Sequence, residues 1–205
     1  MLTDTDLWNL AERMAIPLVF CDFKSELKDE KLQYNKSYII NMEEKFDSDG
    51  TPNKGSHYTC FQVNKYANGS IEPVYFDSYG QPPPEAVIKF CKCHPPHNDK
   101  DIQSLMNSAC GWYCLAFLHY INSAESRSKD LFTDAQHFVA MFEDLEKTDD
   151  KQAHLKNEWI LKHFFRSSDP SKRKPIEVKY DVVGRSLPNP DEIIKQDGDY
   201  TLSKK

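Results

Sequence analysis

The stretch QSLMNSACGWYCLAFLHYIN, residues 103–122, sets Cys110 and Gly111 at the mouth of an almost wholly apolar run, with the amide of Gln103 seven positions upstream. Cys114, Phe117, Leu118 and Ile121 recur on one helical face, while Trp112, Leu115 and Ala116 keep the remainder apolar. A helix apolar all round is buried. The segment therefore predicts a central core helix with a cysteine on its first turn. A cysteine there meets the partial positive charge of unpaired backbone N–H groups, which favours the reactive thiolate. Asn107 and Ser108 offer capping oxygens just before it, and Gly111 leaves room for a substrate backbone to approach.

Upstream, HYTCFQV (57–63) and EPVYFD (72–77) are two β-rich runs separated by a segment containing Asn68-Gly69, a strong hairpin signal. A two-residue turn there brings His57 and Asp77 to the open end of one hairpin, about three residues out of register, or roughly 10 Å at strand rise. SYIINM (37–42) predicts a further strand, and KFDSDGTPNKGS (45–56) a turn-rich loop. Near the start, Thr3 and Asp6 have capping-box spacing, and Leu7, Leu10, Ala11 and Met14 recur at helical spacing up to Pro17.

After the hairpin, SYGQPPPEAVIKFCK predicts a turn and then a helix opened by the prolines, and CKCHPPHNDKD (91–101) a polar loop. Amphipathic helices are expected over 134–147 and 150–165. Beyond them the chain is rich in Pro, Gly and charge, with IEVKYDVV its one strand-like run and Lys172, Arg173 and Lys174 a basic cluster read as solvated. Strands and helices mixed in this order predict an α+β fold in one domain over residues 1–168, with 169–205 as a polar tail or linker.

Hydrophobic residues make up 39% and charged residues 28% of the 205, as in soluble globular proteins. No run approaches the roughly 20 apolar residues of a membrane span, and the first residues lack the basic start and apolar centre of a signal peptide. The expectation is an intracellular protein in a reducing compartment, where the six cysteines are free, catalytic or metal-bound. Residues 166–205 carry 9 Lys/Arg and 7 Asp/Glu, which leaves 17 against 25, or −8, for residues 1–165. So acidic a domain is a poor binder of nucleic acid.

A cysteine nucleophile needs a proton acceptor and donors for the oxyanion formed at an attacked carbonyl. His57 at a strand end suits the base, and Asp77 suits the carboxylate that orients it. Gln103 can offer a side-chain N–H to the oxyanion beside the backbone N–H of Cys110. Cys114 is read as core. Cys91, Cys93, His94 and His97 form C-x-C-H-x-x-H, but the spacing matches no common zinc knuckle and Pro95-Pro96 restricts wrapping, so they are read as solvated loop residues with no metal.

GSHYTCF, VYFDSYG and QSLMNSACGWYCLAFLHYIN, in the order His, Asp, Gln, Cys with a Q-x6-C spacing, resemble the adenain-like (adenovirus endopeptidase type) cysteine proteases of the ubiquitin-like-protein protease clan. PLVFCDFK, SYIINM and NEWILKHFFRSS extend the resemblance over about residues 1–168. It implies Cys110 as nucleophile, His57 as general base and then acid, Asp77 as orienter and Gln103 as oxyanion donor. It also implies a central mixed β-sheet packed on the helix that starts at Cys110, with a groove between them walled by Tyr58 and Trp112. Tyr58 stands where relatives commonly have Trp, and Asp77 where adenoviral enzymes have Glu. Those enzymes are basic, use DNA as a cofactor and are activated by a capsid-derived peptide through a disulfide. The acidic domain here does not support a nucleic-acid cofactor, and none is required by the site; Cys91 or Cys93 lies near the position that would accept an activating peptide.

The resemblance is nearest in style to virophage and Polinton/Maverick proteases, which process capsid proteins, often at Gly-containing sites. It implies viral or transposon structural proteins as partners and a virion, virus factory or host nucleus as location, with no membrane. Two alternatives stay open: a ubiquitin-like-protein isopeptidase or deubiquitinase using the same groove, and a non-catalytic capsid-binding module that keeps only the fold.

Overall fold

A computed structural model of the chain describes residues 2–104, 108–123, 130–148 and 151–165. The expectations for Asn107, for the strand-like IEVKYDVV, for the basic cluster at 172–174 and for the tail as a whole lie outside the described residues.

Aromatic and β-branched runs supply four strands: β1 (Leu18–Phe23), β2 (Lys36–Asn41), β3 (Tyr58–Lys65) and β4 (Ile71–Phe76). They form one sheet in the order β1-β2-β3-β4, in which β1 runs parallel to β2 and the other pairs are antiparallel. The fold is thus α+β around a mixed sheet. Helix α1 (Asp4–Arg13) opens with the full capping box: Thr3 Oγ1 accepts from the Asp6 N–H and the Asp6 carboxylate accepts from the Thr3 N–H. After β4 come α2 (Glu85–Cys91), α3 (Cys110–Ser123), α4 (Leu131–Ala140) and α5 (Lys151–Phe164).

The two faces of the sheet are covered unequally. On one, α3 packs along β3 and is flanked by α1, α4 and α5. From Tyr113 to Leu118 every residue of α3 is at most 1% exposed, as its unbroken apolar sequence requires. Phe117 stacks on Phe76 of β4 at 4.4 Å, and Phe138 of α4 closes edge-on against both. The other face carries a smaller cluster of Phe20, Tyr38, Ile40, Phe61, Val63 and Tyr75, beneath α2 and a short 3-10 turn at Lys24–Asp29.

Two sequence expectations need correction. The β3–β4 turn is not a two-residue turn on Asn68-Gly69. Tyr66 N–H donates to Ser70 O at 2.9 Å and Gly69 N–H to Tyr66 O at 2.9 Å, with Gly69 at φ +86°: a three-residue loop in which the glycine takes the left-handed position. The register that results, Cys60 opposite Phe76, puts Asp77 across from Thr59 and brings it one residue nearer to His57 than expected.

The helix expected over 134–147 instead spans Leu131–Ala140. It starts earlier because the Asp130 side chain caps Thr133 N–H and the Glu72 carboxylate accepts from Leu131 and Phe132 N–H. It stops earlier because later backbone groups have partners elsewhere. The Lys100 ammonium donates to Val139 O and Phe142 O, Leu145 N–H donates to Asp101 O, and Asn157 bonds both backbone groups of Glu143. These bonds also anchor the loop that leads to Gln103.

Candidate active site

Strand β4 ends in FDSYG, and this five-residue turn organises the site. Asp77 O accepts from Gly80 N–H at 2.9 Å, while the Asp77 carboxylate accepts from Tyr79 N–H at 2.8 Å. A short polar side chain bonding its own backbone two residues on is the reason Asp favours turns. Gly80 sits at φ +69°, and a Cβ there would lie 2.8 Å from backbone atoms of Asp99 and Lys100. Only glycine admits this close passage of the 97–101 loop. Asn98, in that loop, accepts from Asp77 N–H and donates to Asp77 O at 2.6 Å, so the backbone of Asp77 is held from both sides.

The Asp77 carboxylate, 1% exposed as a residue, meets His57 Nε2 at 2.9 Å. That contact leaves Nδ1 for Cys110, and the two side chains are near enough for each to shift the other's ionisation. Burial by itself disfavours the imidazolium, but the Asp77 carboxylate and the Cys110 sulfur outweigh it and push His57 up to about 9. Burial likewise opposes ionisation of Cys110. The bond from His57, backbone N–H groups of Tyr58 and Gly111, and the imidazolium charge together hold its pKa below the ordinary thiol value. The two shifts favour one state, a thiolate–imidazolium pair, whose protonation belongs to the pair as a unit.

Helix α3 delivers the sulfur. Its first turn opens with Ala109, whose carbonyl accepts from Tyr113 N–H at 3.0 Å. Of the two residues expected to cap it, Ser108 is exposed.

Gln103 is 1% exposed. Ser78 Oγ donates to its Oε1 at 2.8 Å and its Nε2 donates to the Tyr79 hydroxyl at 3.1 Å. Its backbone N–H reaches Ser78 O at 3.1 Å, next to that of Ile102 at 2.8 Å. The Asp-Ser-Tyr turn therefore touches His57 through its first residue and Gln103 through its second and third.

The expected groove lining is revised. Tyr58 is 4% exposed and turned inward, its hydroxyl donating to Asp4 of α1 at 2.6 Å, so its ring is no groove wall. Successive strand residues face opposite sides, and the residue after His57 points into the core. Gly111 does not leave space for a substrate: a Cβ on it would lie 3.2 Å from Leu7 and 3.3 Å from Leu2. The room it vacates is taken by α1. Trp112 is half-buried and packs edge-on against Phe165 at 5.0 Å.

Tyr79 was not singled out from sequence. Its ring lies 4.7 Å from that of His57 at a tilt of 33°. The signal was present in the turn-forming sequence around it, which returns the chain over the histidine.

Among the described residues no group of three or more His, Cys, Asp or Glu side chains could hold a metal ion. His94 and His97 have ring centroids 5.8 Å apart, and Cys93 is exposed. Burial, with Cys93 nearby, pushes the Cys91 thiol up to about 12. His119 is a packing residue, bonded through Nδ1 to Met14 O at 3.1 Å. No described helix is long and apolar enough to cross a membrane.

No protein-family model matches the chain, and no curated protein matches it. Among solved structures, that of the selenomethionine ASFV pS273R protease is similar at a TM-score of 0.43 and 18% identity, over 77% of this chain and 66% of that one. This chain thus spans just under two thirds of the length of that protease.

Proposed function

We propose that the chain is a cysteine endopeptidase of the adenain-like type, within the ubiquitin-like-protein protease clan, whose protease domain occupies residues 1–168. The observation that carries this is the constellation of Asp77, His57 and Cys110, in which the carboxylate meets one imidazole nitrogen at 2.9 Å and the ring and the sulfur are near enough for each to shift the other's ionisation. Such a pair stores a nucleophile and an acid at once.

In this mechanism the Cys110 thiolate attacks the scissile carbonyl carbon, and the carbonyl π electrons move to oxygen. The Gln103 side chain and the Cys110 backbone N–H stabilise that oxyanion. His57 Nδ1–H then protonates the leaving amine as the C–N bond breaks, leaving a thioester. Neutral His57 next takes a proton from water, which attacks the thioester; the acid product departs and the thiolate–imidazolium pair is restored. Asp77 orients Nε2–H and stabilises the imidazolium.

The substrates proposed are viral or transposon structural proteins, cut at Gly-containing sites, in a virion, virus factory or host nucleus. The residues that do the chemistry are all protein side chains and backbone, and no cofactor is assigned. Residues 169–205 are proposed as a linker or tail outside the catalytic unit.

The test is incubation of the wild type and Cys110→Ala with the capsid proteins of the parent genome and with a ubiquitin-fold substrate ending in Gly-Gly, read by mass spectrometry. Discrete cuts in capsid proteins by the wild type alone are expected. Cleavage of the ubiquitin-fold substrate alone would replace this proposal with isopeptidase activity. No wild-type cleavage of either, with a Cys110 that fails to react with a thiol-directed probe, would leave a binding module.

A further inference from the structure

Tyr79 touches three residues of the site. Its backbone N–H donates to the Asp77 carboxylate at 2.8 Å, the same oxygen that meets His57. Its ring lies 4.7 Å from the His57 ring. Its hydroxyl accepts from Gln103 Nε2 at 3.1 Å. Three functions (orienting carboxylate, base and oxyanion donor) are joined through this one half-buried side chain and its own N–H.

The physical consequence differs for each end of the side chain. An amide group is planar, so holding Oε1 from Ser78 and Nε2 from Tyr79 sets the plane of the Gln103 amide and the directions of both of its N–H bonds. An oxyanion donor is effective only when its direction is fixed before the charge develops. The ring acts on His57 instead: an imidazole bonded only at its edges can still tip about the Asp77–Cys110 line, and a flat aromatic neighbour restricts that tilt. Gly80, obligatory where the 97–101 loop crosses, holds the turn that brings Tyr79 back over the histidine.

We infer that Tyr79 is a positioning residue for the proposed peptidase, holding the Gln103 amide through its hydroxyl and the His57 ring through its aromatic face. The inference rests on the endopeptidase proposal for its catalytic part, but its second half concerns the thiol–imidazole pair alone. Tyr79 does no bond-making; it acts through Gln103 and His57, and the two halves separate by substitution.

Tyr79→Phe keeps the ring and removes the hydroxyl. It is expected to lower kcat by about 10-fold with KM nearly unchanged, a loss smaller than the roughly 100-fold or more that follows removal of an oxyanion donor itself. In a Gln103→Ala background the same change is expected to cost less than about twofold, because the group it positions is gone. The pH profile of Cys110 alkylation by iodoacetamide is expected to match that of the wild type. Tyr79→Leu removes the ring as well and is expected to displace that alkylation profile. An equal loss from Tyr79→Phe with and without Gln103, or no loss at all, overturns the role of the hydroxyl. An alkylation profile unmoved in Tyr79→Leu overturns the role of the ring. Should the wild type cleave no substrate, the peptidase proposal fails and the alkylation profile of Tyr79→Leu still decides the second half.

Discussion

Cys110 and Cys114 lie one turn apart on the same helix, both at most 2% exposed, and their pKa values are shifted in opposite directions. Burial raises the thiol pKa at each. At Cys110 a bond from His57 and two backbone N–H groups reverse that effect. At Cys114 the neighbouring thiol of Cys60 and the nearby Cys110 add to it, and the pKa rises well above the ordinary value. One turn into the helix the backbone N–H groups are already committed to intrahelical carbonyls, and among the described residues no imidazole acts on the sulfur. The direction of each shift follows from the groups around the sulfur, and neither residue type nor exposure decides it.

Removing the sulfur tests the contrast most severely. Cys110→Ala is expected to lower cleavage of a peptide substrate on the order of 10⁴-fold or more, measured as initial rate. An equal loss in Cys114→Ala would erase the distinction between the two turns. Next in size, His57→Ala takes away the partner that makes Cys110 unlike Cys114. It should cost about 10²- to 10⁴-fold in kcat/KM and move Cys110 alkylation by iodoacetamide to higher pH, towards that of an ordinary thiol. Unchanged alkylation would assign the thiolate to the helix N-terminus alone.

The pH profile sharpens the same point. With His57 pushed up to about 9, the imidazolium is present below that value and lost above it. Turnover is therefore expected to fall by about tenfold per pH unit beyond about 9, and to fall at the acid end as Cys110 takes up a proton. A flat profile through pH 9 to 10 would remove His57 from the acid step. The smallest effect belongs to the inert cysteine. Cys114→Ala should leave activity within about twofold while lowering unfolding free energy by about 1 to 2 kcal/mol in urea titration, the cost of a small cavity.

Much of this arrangement was legible because it is written in local patterns. The unbroken apolar run after Cys110 announces a buried helix, and the capping box at Thr3 and Asp6 appears as spelled. Alternating aromatic and β-branched residues mark β3 and β4, and their order in the chain puts His57 and Asp77 at one end of a hairpin. What was misjudged depends on partners distant in sequence. Asn-Gly serves two-residue and three-residue loops alike, so the register was off by one until the Tyr66–Ser70 bond decided it. The ends of α4 are set by Glu72, Lys100 and Asn157, none of which lies within the helix. Gly111 and Tyr58 resemble groove residues by position, but α1 docks on them from far upstream. Tyr79 escaped notice because a turn residue takes its meaning from where the turn returns the chain.

The His57–Asp77 bond spans 20 residues and closes within one hairpin, whereas the sulfur it serves is carried by a separate helix made later. In the language of folding kinetics, His57 and Asp77, the proposed base and its carboxylate, belong to a region of low contact order, and Cys110 joins through a longer loop closure. In chain order the hairpin's two strands precede α3, and the contacts that close it are the more local ones. The His57–Asp77 pair is thus the product of one local hairpin, whereas the lowered pKa of Cys110, which depends on His57, comes only with the long-range packing of α3 on β3.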